Sequence, residues 1–163
     1  MKFDRATSRP PASVRLGMAV LAAVLTFSAL ALPVRAEDLS LSCVGGGSLS
    51  DADLSRGTTI VVVWASWSPR SRDVAQRVGA LSQRWGNRAR VMTVNFQEDG
   101  PAVQKFLAGK GFGVPICMDP DGAFSRKYNV ATLPGLLVVR DGNVAYRGKL
   151  PDDADGAIEG ALR

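Results

Sequence analysis

From Thr58 to Ala65 the chain runs through Thr59-Ile60-Val61-Val62-Val63-Trp64 without a charged residue. An unbroken β-branched stretch of that length fits a strand buried on both faces. The period then changes. Val74, Val78, Leu81 and Trp85 recur three or four residues apart, as the buried stripe of a helix does. Ser68 is placed to cap that helix, Pro69 occupies its first position, where a missing N–H costs nothing, and Gly86-Asn87 ends it. Upstream, over 37–57, leucines and serines alternate from Leu39 to Ser42, followed by Cys43-Val44, the turn Gly45-Gly46-Gly47 and Ser48-Leu49-Ser50-Asp51, which predicts a β-hairpin. Downstream the pattern predicts a strand over 90–96 and a helix over 101–107 with Val103, Phe106 and Leu107 facing inward. A loop (109–113), a short strand (114–118) and a turn at Asp119-Pro120-Asp121-Gly122 follow, then a short helix (123–128). A strand (135–140) turns at Asp141-Gly142-Asn143 into a second strand (144–147). A last helix over 152–162 is capped by Asp152 or Asp153. This order predicts an α/β sandwich with an N-terminal hairpin and a helix–strand pair inserted between the second and third core strands.

The first 36 residues follow a different logic. Lys2, Arg5, Arg9 and Arg15 precede an apolar run over 16–32, and Pro33-Val34-Arg35-Ala36 offers a cut after Ala36. That layout predicts a secretory leader (1–36) ahead of a single domain (37–163) in the periplasm or outside the cell. The rival reading keeps 16–32 as a tether to the inner membrane. Cys43 lies too far beyond the run to be a lipoprotein acceptor. The leader also carries most of the charge: without it the formal net charge falls from +5 to about +1. Arg70, Arg72, Arg77, Arg84, Arg88 and Arg90 then read as a solvated helix face, and no nucleic-acid partner is expected.

The chain has no histidine. It therefore cannot supply a histidine ligand to zinc or haem, nor a Ser-His-Asp triad. Asp119 and Asp121 sit in a Pro-Asp-Gly turn, which accounts for them better than a calcium loop does, and no metal or cofactor is predicted. The two cysteines, Cys43 and Cys117, have three readings. They could form a disulfide between hairpin and inserted strand, closing a loop of about 75 residues worth roughly 4 kcal/mol. They could be two buried free thiols. Or Cys117 could be a reactive thiol, although no cation stands beside it to lower its pKa.

Several segments together carry a resemblance. They are Trp64-Ala65-Ser66-Trp67-Ser68-Pro69-Arg70-Ser71 at the strand–helix junction, Val114-Pro115 through Asp119-Pro120-Asp121-Gly122, Tyr128-Asn129-Val130 ahead of Thr132-Leu133-Pro134, and Val138-Val139-Arg140-Asp141-Gly142-Asn143. In this order they resemble the TlpA/ResA family of periplasmic thiol-disulfide reductases over nearly all of 37–163. The resemblance implies a thioredoxin-like three-layer sandwich, with the proline matching Pro134 in a cis peptide beside the redox motif. In that family positions 68 and 71 would be cysteines; here they are Ser68 and Ser71. A serine supplies no thiolate near neutral pH, so neither the mixed disulfide nor its resolution can form there. The proton-carrying acids of such proteins would match positions 62 or 74, and both are valines in this chain.

Capture of an extended segment needs no sulfur. The resemblance places Leu133 where a backbone is offered to a partner strand, with Trp67, Pro69 and Pro134 as apolar neighbours. Ser68 and Ser71 are degenerate motif positions rather than catalytic residues. The sequence thus predicts an exported, non-catalytic module that binds an extended peptide or protein partner, accessory to a thiol-redox or protein-maturation system. The alternative is a thiol-disulfide oxidoreductase that uses Cys43 and Cys117.

Overall fold

A computed structural model describes residues 38–163; the predicted leader and tether lie outside the described residues. The alternating segment folds as β1 (Ser40–Ser42) and β2 (Ser48–Ser50), paired antiparallel around the glycine turn. A four-residue helix that the sequence reading did not anticipate, α1 (Asp51–Leu54), follows at once. Ser50 caps it reciprocally with Asp53, satisfying two backbone donors in one exchange.

The main sheet is built from β3 (Thr58–Trp64), β4 (Arg90–Phe96), β5 (Ile116–Asp119), β6 (Gly135–Arg140) and β7 (Asn143–Lys149). Their spatial order is β5-β4-β3-β6-β7. Strands β3, β4 and β5 run parallel, while β6 and β7 are antiparallel to their neighbours. The central place of β3 explains its composition: it is buried from Thr59 onward. Ile60, Val62 and Trp64 face a layer formed by α2 (Val74–Trp85), α3 (Gly100–Leu107) and α5 (Ala154–Ala161). Val61 and Val63 face the hairpin, Leu54 of α1 and Phe124 of α4 (Ala123–Lys127). Both faces of the strand are apolar because both are covered. The three-layer sandwich, its hairpin and its inserted α3–β5 pair agree with the sequence reading.

Two local expectations are corrected. The helix after β3 is not continuous from Pro69. A 3₁₀ turn (Pro69–Ser71) comes first, and α2 begins at Val74. Ser68 precedes that turn, but its hydroxyl makes no capping bond, because it donates instead to a carbonyl of another loop. The far end is as expected: α2 stops at Trp85 with Gly86 as its cap, in a right-handed conformation (φ −55°) that does not draw on glycine's freedom.

Cys43 leaves the hairpin ladder, pairs in an isolated antiparallel bridge with Cys117 on β5, and is disulfide-bonded to it. Val44 N–H donates to the Ile116 carbonyl at 2.8 Å beside the bond. The hairpin is therefore stitched to the β5 edge of the sheet by backbone and sulfur together. The disulfide is the first of the three readings of these cysteines. Both cysteines of the chain are consumed, and Cys117 is fully buried.

Candidate functional site

Strand β3 delivers Trp64 into the core and then releases the chain at Ala65-Ser66-Trp67-Ser68. Trp64 is fully buried and stacks on Phe112, 4.9 Å between ring centroids, with Phe106 tilted against it at 5.0 Å. Three residues later Trp67 is 60% exposed. The loop between them is held by Glu98. Its carboxylate accepts from Ser66 N–H at 2.6 Å, from the Ser66 hydroxyl, and from Asn95 Nδ2 at 2.7 Å. Because Trp64 and Asn95 are register partners in the parallel β3–β4 pair, the loops leaving both strands emerge side by side, which lets Glu98 reach Ser66.

The opposite wall is the segment before β6. The Leu133–Pro134 peptide is cis. The Ser68 hydroxyl donates to the Leu133 carbonyl at 3.3 Å, joining the two walls. Gly135 allows the turn to close. A Cβ there would come within 2.7 Å of Val130 Cγ1 and 2.8 Å of the Thr132 carbonyl oxygen, so a side chain would push the loop outward.

Between these walls lies a cavity of about 500 Å³ lined by Trp67, Ser68, Pro69, Arg70, Phe96 and 130–133. Of the predicted site residues, Trp67, Ser68, Pro69 and Leu133 thus share one groove. Pro134 is buried behind Leu133 and lines a second cavity of about 380 Å³ instead, so the apolar wall assigned to it belongs to Phe96 and Val130. Ser71 is fully buried, does not line the groove, and its hydroxyl has no hydrogen-bond partner among the described residues. The N–H groups of Ala131, Thr132 and Leu133 likewise donate to nothing within the described residues. Residues 131–133 line the groove, so this unbonded stretch of backbone borders its opening.

The sequence reading missed Phe96, Val130 and Glu98. Phe96 and Val130 look like ordinary strand-end and loop residues until the fold brings them together. Glu98 becomes legible only once β3 and β4 are paired.

The groove loop is anchored through Tyr128, whose hydroxyl donates to Asp51 at 3.1 Å. Burial, together with the adjacent Asp51 charge and this hydrogen bond, pushes the Tyr128 pKa up to about 12. Burial pushes the Asp51 carboxyl upward, but hydrogen bonds from Lys127, the Leu39 N–H and Tyr128 outweigh it, and its pKa is lowered overall. Asp53 is lowered by the Ser50 side chain and N–H and, further off, by Arg90.

Asp119 and Asp121 are spent on structure. Asp119 is fully buried and accepts from Phe124 N–H and Ser125 N–H at 3.0 Å each and from the Ser125 hydroxyl at 2.8 Å. Asp121 accepts from Ala123 N–H at 3.0 Å. Val62 and Val74, at the two positions expected of a proton carrier, are fully buried in the apolar layer.

The sheet, its flanking helices and the strand–turn–helix junction facing the cis-proline segment define a thioredoxin-fold protein. The Redoxin family model matches residues 23–162, and the chain belongs to the Redoxin family. Solved structures agree on the fold. A thioredoxin-like protein from Aeropyrum pernix is 20% identical with a TM-score of 0.60, covering 77% of this chain and 88% of its own. The exposed lipoprotein thioredoxin Etrx1 of Streptococcus pneumoniae is 17% identical with a TM-score of 0.66, covering 77% and 98%. A secreted Mycobacterium tuberculosis disulfide oxidoreductase homologous to E. coli DsbE is 19% identical with a TM-score of 0.61, covering 76% and 93%. Among curated proteins no sequence matches the chain. No helix among the described residues is long and apolar enough to cross a membrane.

Proposed function

We propose that this Redoxin-family chain is a binding module for extended segments of other proteins and performs no dithiol chemistry. One observation carries the reading: Ser68, standing where a first cysteine would, lines an apolar groove together with the exposed Trp67 and with 131–133, whose backbone N–H groups find no acceptor among the described residues. Strand addition along 131–133 gives affinity through main-chain hydrogen bonds, and the groove takes a side chain of the guest. The Ser68 hydroxyl is no nucleophile: it donates to the Leu133 carbonyl, and the chain holds no histidine to deprotonate it.

The sulfur of this protein works as a staple. Cys117 is fully buried and Cys43 partly so, and thiol exchange needs a thiolate that can reach a disulfide sulfur in line, which leaves only the Cys43 side of the bond open to attack. Residues 1–36 act as a leader, which puts the domain in an oxidising compartment where such a staple persists. Its setting is a thiol-redox or protein-maturation system, where it holds clients or partners in extended form.

Panning a random-peptide display library on the folded, oxidised domain tests the reading. Enriched peptides should lose at least tenfold in affinity on Trp67→Ala and on Leu133→Pro, with circular dichroism confirming that both variants fold. Peptides that bind both variants as well as the parent, or a library that yields none, would overturn it.

A further inference from the structure

The groove has a charged continuation. Among the described residues Arg70 is the one charged side chain lining the apolar cavity, and it also lines the neighbouring cavity of about 380 Å³. The two cavities share Arg70, Thr132 and Leu133, so they adjoin each other at this segment. The second cavity is bordered by Arg77 and Lys149 as well, against Asp73 and Asp152. Arg77 donates to the carbonyls of Leu150 and Pro151 and is held in place. Arg70 and Lys149 make no ion pair within the described residues, although two carboxylates line the same cavity.

We infer that the groove selects an acidic extended segment, placing an aromatic or branched aliphatic side chain between Trp67, Phe96 and Val130 and a carboxylate beside Arg70 in the adjoining cavity. The inference rests on the strand-addition reading above and supplies its ligand class. A strand laid along 131–133 sends successive side chains to alternate sides, so an apolar residue and a carboxylate can enter the two cavities without the guest leaving the extended form. Arg70 is exposed, and a guest carboxylate would meet an unpaired guanidinium there that accepts it in bidentate geometry. A basic guest would face the same guanidinium with like charge, which adds rejection to attraction.

Short synthetic peptides test this: Ac-Glu-Glu-X-Glu-Glu-NH2, with X as Phe or Leu, against the Gln and Lys counterparts of the same length. Trp67 is the exposed tryptophan, while Trp64 and Trp85 are buried, so its emission reports binding on the domain itself. At low salt the Glu peptides should bind at least tenfold tighter than the Gln peptides and more tightly still than the Lys peptides. The gap should close at high ionic strength, since the contact is at the surface. Arg70→Glu should invert the order of Glu and Lys peptides, and Trp67→Ala, followed by anisotropy of labelled peptides, should weaken all of them. Equal binding of Glu and Gln peptides, or an Arg70→Glu variant with unchanged preference, would overturn the acidic selection and leave the groove reading standing. Failure of every peptide to bind at millimolar concentration would overturn both.

Discussion

Replacing Cys43 with serine and Cys117 with alanine opens a covalent loop spanning 74 positions, and the cost follows from that length. In the chain-entropy model a loop of this size restrains the unfolded chain by about 4 kcal/mol at 25 °C. The hairpin would not detach outright. Leu39, Leu41, Leu49 and Leu54 remain buried against Val61, Val63 and Phe124, so the native fold survives with a lower margin. Total stability of a domain this size is on the order of 5–15 kcal/mol, which makes the loss a large fraction of it. Urea unfolding followed by circular dichroism should show the midpoint falling by the equivalent of about 4 kcal/mol, and the thermal midpoint by about 15 °C. The parent after reduction under denaturing conditions and refolding should match the variant, which separates the lost cross-link from the changed side chains. Peptide binding at the groove should persist in the folded variant. A loss below about 1 kcal/mol would refute the staple argument, and a variant that keeps its stability but loses its binding would place Cys43 and Cys117 in the function instead.

Four further outcomes follow from the same geometry. Ser71→Ala should stabilise the domain by about 1 kcal/mol, because it removes a buried hydroxyl that has no partner among the described residues; a destabilised variant in urea unfolding would contradict this. Ser68→Ala should cost under about 1 kcal/mol and leave peptide affinity within threefold, since its one hydrogen bond is long at 3.3 Å; loss of a tenfold factor in a titration would give Ser68 a larger role. Asp119→Ala should cost at least about 3 kcal/mol by stripping α4 of three acceptor contacts, with Asp119→Asn intermediate. Stability should also fall at both ends of the pH range. Asp51 and Asp53 titrate below the ordinary 3.8 when folded, so their contribution is present above that value and is lost as the pH drops below it. Tyr128 is raised from 10.0 to about 12, so its contribution holds below pH 10 and is lost as the pH rises through about 12. Thermal midpoints against pH should show the acid limb flattened in Asp51→Asn and the alkaline limb flattened in Tyr128→Phe.

What was legible in the sequence was whatever is repeated along it. The double-sided burial of β3, the stripe Val74-Val78-Leu81-Trp85 and the Leu/Ser alternation of the hairpin all survive in the structure, because each is a period imposed by one element against the core. Helix α1 escaped notice because four residues contain too little of a helical period, although its Ser50–Asp53 cap was there to be read. Ser68 was misread for a related reason. Local propensity makes a serine before Pro69 a cap, but the Leu133 carbonyl, 65 positions away in sequence, offers its hydroxyl a partner. The groove was half legible. Trp67, Pro69 and Leu133 came from motif resemblance, whereas Phe96, Val130 and the Glu98 brace depend on which strands lie side by side. In the sequence Arg70 belongs to a run of arginines that reads as a solvated helix face, and only the two cavities it lines make it a candidate for ligand contact.

Thiol trapping with intact mass measurement bears most directly on the claim that this fold binds without redox turnover. The protein, expressed with residues 1–36 and purified, is equilibrated at neutral pH in glutathione buffers of graded reducing strength, acid-quenched and alkylated. The account predicts a single species with Cys43 and Cys117 linked and no label until the protein is unfolded, with a mass beginning at Glu37. Rapid labelling of Cys117 in the folded protein, or a pair that opens and closes with the buffer, would contradict it and return the chain to thiol-disulfide exchange.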